Sequence, residues 1–255
     1  MTSVSNGIGA TTTISFDRLN RNQPLYTKCP NTPSSYACGD TYPIQGVDGP
    51  IYVVAQVDTS NGTGACVAHV PPPSSNCFTT TYTYGGAKND LSGRGFLGYQ
   101  QVTATDLQTN IVQTTSYNTL FPLTGTVLEQ KRTLGGVVLS DTVNSYIQIP
   151  ATPVPGTPSF VYLSASTSTG QEIDGTTLPS TTTVSSNPDG YGNIQNVNVA
   201  VSDGSSKTTI NHYSNDPSLW MIGHLVSTSV TSTVGSRSRA CRACCCRGSR
   251  SLSAL

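Results

Sequence analysis

GRGFLG, residues 93 to 98, has the G-x-G-x-x-G spacing that lets a backbone approach a pyrophosphate. That chemistry needs a strand before the glycines and a helix starting within them, so that free N–H groups face the phosphate. It also needs a carboxylate roughly 20 residues on to take the ribose hydroxyls. The next residues are YQQVTATDLQTN, whose threonines and valine favour a strand and show no amphipathic helical face. Asp106 comes too early and Glu129 too late to serve the ribose. No nucleotide and no other cofactor is expected. The glycines read instead as turn residues. Asn89 and Asp90 start the turn, and Gly93 and Gly95 supply positive φ or a bulge. Gly98 is expected to leave a gap where an aromatic ring can lie. All three glycines should reject bulky residues because they meet a backbone or aromatic neighbour. Arg94 should pair with Asp90 or Asp106.

Other reactive constellations are sparse. His69, His212 and His224 are the chain's histidines, and each reads as a packed or edge residue rather than a general base. There is no G-x-S-x-G elbow and no H-E-x-x-H helix. Asp40, Asp48, Asp58, Glu129, Glu172 and Asp174 show no spacing that marks a glycosidase pair. DGYGN (189 to 193) and NDP (215 to 217) offer oxygens to a cation, but such runs more often close Asx turns. No catalytic residue and no metal ligand is assigned, and no enzyme is expected.

Cysteines fall into two groups. Cys29, Cys38, Cys66 and Cys77 lie in loops rich in Pro, Ser and Asn, and allow three pairings. Pairing in sequence order would close loops of about 10 residues and add about 2–3 kcal/mol each. That suits an exported protein. Four reduced thiols remain the alternative, and the absence of C-x-x-C in this group argues against zinc. Cys241, Cys244, Cys245 and Cys246 sit in the arginine-rich tail GSRSRACRACCCRGSRSLSAL. Three adjacent cysteines do not converge on one metal. Residues 235–255 are expected to be a disordered Cys/Arg tail, with a frameshifted reading frame as its possible origin.

The elements that must position these residues are strands. The 255 residues carry 10% charged side chains and no net charge, which gives no field to steer the chain to nucleic acid. No apolar run is long enough to span a membrane, and the N-terminus shows no signal peptide. TTTISF (11–16), IYVVAQV (51–57) and FTTTYTY (78–84) alternate or run apolar over strand lengths. FLGYQQVTAT, NIVQTTSY, TVLEQKRTL and VVLSDTVNSYIQI come next, and after the proline-rich loop 152–159 come FVYLSAS, TTTVSS, YGNIQNVNVAVS, KTTINHY and MIGHLVSTSVTSTV. Short turn signals between them predict antiparallel hairpins and an all-β chain with little or no helix.

These blocks carry a resemblance. YTYGGAKNDLSGRGFLGYQQVTATDLQTNIVQTTSYNTLFPLTG (82–125) resembles a segment of large bacterial Rhs/YD-repeat toxins. It is most similar to the middle region of the TcdB-like B component of insecticidal Tc toxin complexes, which is related to SpvB. The matching positions are Tyr82, Tyr84, Ala87, Asp90, Gly93, Arg94, Gly95, Phe96, Leu97, Gly98, Tyr99, Asp106, Thr115, Tyr117, Phe121, Pro122 and Gly125. NGIGATTTISFDRL (6–19) resembles the lead-in strands. DGYGNIQNVNV (189–199), with Gly192 and Asn193, resembles a YD repeat whose Asp189 stands one place early. HYSNDPSLWMIGHL (212–225), with Trp220 and Gly223, resembles the segment that ends Trp-x-Ile-Gly-Arg-Leu, with His224 in place of Arg.

The resemblance implies a hollow β shell, or cocoon, that encloses a C-terminal toxic payload. Residues 1–234 would be a shell segment, incomplete at both ends. The partners implied are the remaining shell of the same toxin and other toxin-complex components, with no nucleic acid and no membrane span. The location implied is secreted or extracellular. Composition agrees with a wall one sheet thick, since 7% aromatic residues and strands alternating Thr with Val or Ile cannot fill a dense two-layer core. The alternative is a secreted β-rich adhesin or binding module.

Overall fold

The computed structural model describes residues 2–20, 25–29, 40–47, 49–62, 66, 76–151, 159–235 and 250–253. Every regular element among them is a strand. The expectation of an all-β chain built from antiparallel hairpins holds. The chain divides into two compact units, Met1–Leu139 and Ser140–Leu255.

The first unit holds β1 (Thr2–Ser5), β2 (Thr11–Arg18), β3 (Tyr26–Thr27), β4 (Ile44–Gly46), β5 (Tyr52–Ser60), β6 (Cys77–Asp90), β7 (Gly95–Asp106), β8 (Ile111–Tyr117) and β9 (Val127–Leu134). The sheet order is β1-β2-β5-β6-β7-β8-β9, with each neighbouring pair antiparallel. β6 organises the unit because its 14 residues outrun any single partner. Along one edge it pairs β5 at Cys77–Thr81, then β3 in parallel at Tyr84–Gly85, then β4 at Lys88–Asp90. Its other edge pairs β7 from Thr80 to Asp90.

The short strand β3 brings a small core with it. Leu19, Leu25, Tyr26, Val53 and Ala87 are buried together, and Val47, Ala55, Tyr84 and Tyr99 pack against them. The Tyr26 hydroxyl serves both of its roles: it donates to the Val47 carbonyl at 2.8 Å and accepts the Ala87 N–H at 3.2 Å. Burial beside Tyr99 and Tyr82 pushes the Tyr84 phenol up to about 12. Asp58, Thr79 and Lys88, buried nearby, are paired. Asp58 accepts from the Thr79 hydroxyl at 2.7 Å and from the Gln56 amide at 2.8 Å, and Lys88 reaches Asp40 at 3.0 Å.

Cys66 and Cys77 form a disulfide with Cα atoms 5.1 Å apart. Cys29 is also disulfide-bonded, and Cys38 lies outside the described residues. The Cys66–Cys77 bridge fastens a loop to the first residue of β6 over a separation of 11 residues. Its loss should lower the stability of this unit by about 2–3 kcal/mol through the freed chain entropy. Urea midpoints of the wild type and the Cys66→Ser/Cys77→Ser double variant check this, and equal midpoints would contradict it.

The second unit is a meander. It contains β10 (Val137–Ile149, which begins just before the unit boundary), β11 (Phe160–Gln171), β12 (Thr177–Pro188), β13 (Ile194–Val201), β14 (Ser206–Asp216), β15 (Met221–Thr233) and β16 (Arg250–Ser253). Each strand pairs antiparallel with the next. Three of its turns carry Asp-Gly, at Asp174–Gly175, Asp189–Gly190 and Asp203–Gly204. In each, the aspartate Oδ1 accepts a backbone N–H two residues on, from Thr176, Tyr191 and Ser205. That local chemistry is why the chain reverses at these points.

No described residue of the second unit is buried. Register places Val184 and Ile210 on one face and Val197 and Val199 on the other, interleaved with Thr, Ser and Asn. Val184 and Ile210 each expose 40% of their surface. Cross-strand hydroxyl and amide contacts such as Thr167–Thr182, Thr142–Ser168 and Asn198–Thr208 tie the strands laterally. The described residues of the unit form one layer of sheet with mixed faces and no buried core. Beyond Gly235, residues 236–249 and 254–255 of the tail lie outside the described residues, as does the proline-rich stretch 152–158. Among the described residues no helix is long and apolar enough to cross a membrane, which says nothing of strands that cross one.

Candidate functional site

Two junctions gather the residues that the sequence singles out. The first is built on the β6–β7 turn. Asp90, nearly buried at the end of β6, accepts the Ser92 N–H at 2.7 Å, the Ser92 hydroxyl, and Arg94 Nη1 at 3.1 Å. The Ser92 hydrogen bonds, helped by the Arg94 guanidinium, hold the Asp90 carboxyl below the usual range. Arg94 in turn lays its guanidinium 4.1 Å over the Phe121 ring. Phe121 projects from the loop Asn118–Thr126, which closes on itself through Asn118 N–H to the Thr126 carbonyl at 2.9 Å and Gly125 N–H to the Asn118 carbonyl at 2.8 Å. The Gly-Arg-Gly and Phe-Pro-x-x-Gly motifs, apart in sequence, are thus clasped by one cation–π contact.

The glycines of this turn act differently from the expectation. Gly93, Gly95 and Gly98 have φ of +118°, +74° and +92°, and a Cβ on any of them would meet nothing within 4 Å. Backbone conformation, rather than crowding, excludes side chains there. At Gly98 the cause is a bulge. Lys88 pairs Gly98 while Asn89 pairs Phe96, so Leu97 is the extra residue and turns inward, 5% exposed. The aromatic ring expected beside Gly98 belongs to the next residue, since Tyr99 packs on Tyr84 at 4.8 Å and on Phe96 at 5.4 Å. Arg94 pairs with Asp90, while Asp106 accepts the Gln108 N–H and the Thr109 hydroxyl in the next turn. Two antiparallel strands flank the glycines, so no helix N-terminus faces them.

The second junction lies in the other unit. Asp189 Oδ1 accepts the backbone N–H groups of Tyr191 and Asn193, both at 2.9 Å. Its Oδ2 accepts the side-chain amides of Asn193 and Asn215, both at 2.8 Å. Asn215 Oδ1 then takes the Gly223 N–H at 2.7 Å. Gly223 has φ +76°, and a Cβ there would stand 2.7 Å from Asn193 Oδ1, so strand β15 passes Asn193 with no room for a side chain. Gly192 lies against the Phe160 ring. Trp220 tops the β14–β15 turn at φ +54° with 82% of its surface exposed. Asn215 was not legible as a site residue; its only signal was its place before the Asp-Pro of the turn.

Burial pushes the Asp189 carboxyl up, but the Asn193 and Asn215 amides and the two backbone donors outweigh it and bring it down to about 2. The folded value lies below the unfolded one near 3.8, so the aspartate stabilises the junction above that pH. This stabilisation should disappear as pH falls from about 4 through about 2. Trp220, the only tryptophan, reports on the turn. Its emission should change over that window, and Asp189→Asn should flatten the change; a change that survives in Asp189→Asn would contradict the assignment.

Both junctions are built on hydrogen bonds to an aspartate. In both, the carboxylates are occupied by N–H and O–H donors, which is an Asx-turn chemistry and not a cation cage. The NDP turn is the same, with Asp216 accepting from Ser218 and Leu219. Among the described residues no group of three or more His, Cys, Asp or Glu side chains is placed to hold a metal ion. His212 and His224 are exposed on β14 and β15, opposite Ser227 and Ser214, and His69 lies outside the described residues. What the junctions do is fix turns: one clamps two loops together, the other ties the β12–β13 turn to the β14–β15 hairpin.

No family model matches the chain, and no curated protein matches it in sequence. Solved structures do match. A crystal structure of TcdB2–TccC3–Cdc42 superposes with a TM-score of 0.60 over 91% of this chain and 15% of that chain, at 12% identity. TcdB2–TccC3 itself gives 0.58 over 90% and 15%, at 13% identity. The chain has the fold of a stretch of TcdB2–TccC3. The likeness at this identity is one of fold. It falls on the same toxin-complex proteins that the sequence motifs resemble. The chain spans about 15% of the length of the chains that it matches.

Proposed function

We propose that the chain is a non-enzymatic wall segment of an Rhs/Tc-type toxin shell, working outside the producing cell and enclosing a C-terminal toxic payload. The observation that carries this is the second unit: seven strands in one layer, with no described residue buried and apolar side chains on both faces. An adhesin or binding module must stabilise itself, which takes a buried core. A wall segment draws its stability from the sheet and protein that continue around it, and its two faces look to two different environments. The junctions suit that role, because a wall needs its strands fixed in register more than it needs reactive groups. The partners in this reading are the remaining shell and the other toxin-complex components.

The outer edge of β1 and the unsupported sheet face should make the isolated chain associate, since no net charge keeps copies apart. Size-exclusion chromatography of the intact chain, whose charges sum to zero, tests this under reducing conditions that keep the tail cysteines as thiols. Broad, concentration-dependent elution is expected. A sharp monomer peak would favour the self-sufficient binding module.

A further inference from the structure

The sequence has two Asn-Gly pairs, Asn6–Gly7 and Asn61–Gly62, and four Asp-Gly pairs. In such pairs the backbone nitrogen of the glycine can attack the preceding side-chain carbonyl, because no side chain shields it. Asn6 is placed for that attack. It is exposed in the turn between β1 and β2, and a Cβ at Gly7 would meet nothing within 4 Å. Its Oδ1 accepts two backbone N–H groups, from Ile8 and from Ala10, each at 3.1 Å. Two such donors polarise the carboxamide and stabilise the oxyanion that forms when Cγ becomes tetrahedral. The Gly7 N–H itself points to the Ser5 hydroxyl at 3.4 Å, a weak acceptor that leaves it open to base.

We propose that Asn6 is a self-modification site, converting through a cyclic imide with Gly7 to aspartate and isoaspartate. The Gly7 nitrogen, losing its proton to solvent hydroxide, bonds to Asn6 Cγ. The Cγ–Nδ2 bond breaks and the nitrogen leaves as ammonia. Water then opens the five-membered ring at either carbonyl. The product carries a new negative charge, and the isoaspartate form also lengthens the main chain by one methylene.

The other candidate pairs differ in ways that matter. Asn61 is less exposed than Asn6, which limits the access of base and water to it. Asp189–Gly190 repeats the Asn6 pattern, with Oδ1 accepting from residues two and four further on. Its side chain is a carboxylate, however, and an ionised carboxylate is a poor electrophile. Hydrogen bonds hold Asp189 and Asp174 ionised well below neutral pH. The same geometry is therefore reactive at Asn6 and inert at Asp189.

The position gives the modification a consequence. Among the described residues β1 pairs with β2 alone and is the outer strand of its unit. Asn6 closes the turn that sets the β1–β2 register, with its N–H bonded to the Ala10 carbonyl at 3.1 Å. A charge and an added backbone atom there loosen β1 and put a repulsive group at an edge that otherwise has none.

The test is to age the intact 255-residue chain in mildly alkaline buffer and follow each Asn-Gly and Asp-Gly peptide by mass spectrometry, with ammonia release and isoaspartate labelling measured alongside. Asn6 should convert first, with isoaspartate among the products and Asp189 unchanged. Gly7→Ala should lose the conversion, and Asn6→Gln, which keeps Gly7 but lengthens the side chain, should lose it as well. Conversion at Asn61 before Asn6, or an unmodified Asn6 when total ammonia release is substantial, would overturn the proposal. So would persistence of the Asn6-region mass change in Asn6→Gln.

Discussion

Leu19→Ala is expected to lower the unfolding free energy of the Met1–Leu139 unit by about 2–5 kcal/mol. Leu19 is 1% exposed and sits where the end of β2 meets Leu25, Tyr26, Val53 and Ala87. Its N–H bonds the Ile51 carbonyl at 2.7 Å, so the backbone is fixed and the site cannot collapse to fill the space left by a smaller residue. Among the described residues the buried cluster has five members, and one deletion removes a large share of it. Denaturant unfolding followed by tyrosine signals from this unit measures the effect. A loss below about 1 kcal/mol would mean that the cluster does not hold the unit together.

Asp58→Ala should be nearly as damaging, by about 3 kcal/mol, for an opposite reason. Asp58 is 2% exposed and Thr79 is fully buried, and the hydroxyl of Thr79 donates to the Asp58 carboxylate along with the Gln56 amide. Removing the acceptor leaves the Thr79 hydroxyl dry and unpaired, which is worse than never having buried it. Asp58→Asn keeps one oxygen for Thr79 but turns an amide toward the Gln56 amide, so it should fall between wild type and Asp58→Ala. Equal midpoints for wild type and Asp58→Ala would show that the buried network contributes nothing.

Much of the fold was legible because its determinants are local. Alternation in FTTTYTY marks β6, and the alternating runs with short turn signals between them mark the hairpins. What escaped depends on contacts distant in sequence. β3 is two residues long, and nothing in Tyr26–Thr27 signals a parallel pairing with Tyr84–Gly85. The core around Leu19 and Ala87 exists because that pairing brings Tyr26 under β6, so its members carry no common pattern in the sequence.

The site divides the same way. Gly93 and Gly95 were legible as turn residues, because positive φ is a property of one residue. The bulge that throws Leu97 inward was not, since it is set by the register between β6 and β7. The resemblance marked Arg94 and Phe121 separately, and only the folded loops put one over the other. Asn215 bridges Asp189 to Gly223 through side-chain and backbone bonds that no spacing rule anticipates.

Native-state hydrogen exchange on the whole chain tests the wall reading most directly, because it reports each strand's local stability. Amides of β6 and β7, beside the buried cluster, should exchange only as fast as the Met1–Leu139 unit unfolds. Amides of β11 to β14, in a layer with no buried residue, should exchange far faster under the same conditions despite their antiparallel pairing. Equal protection across both units in a monodisperse monomer would contradict the account, since it would show a self-sufficient protein with no need of a surrounding shell.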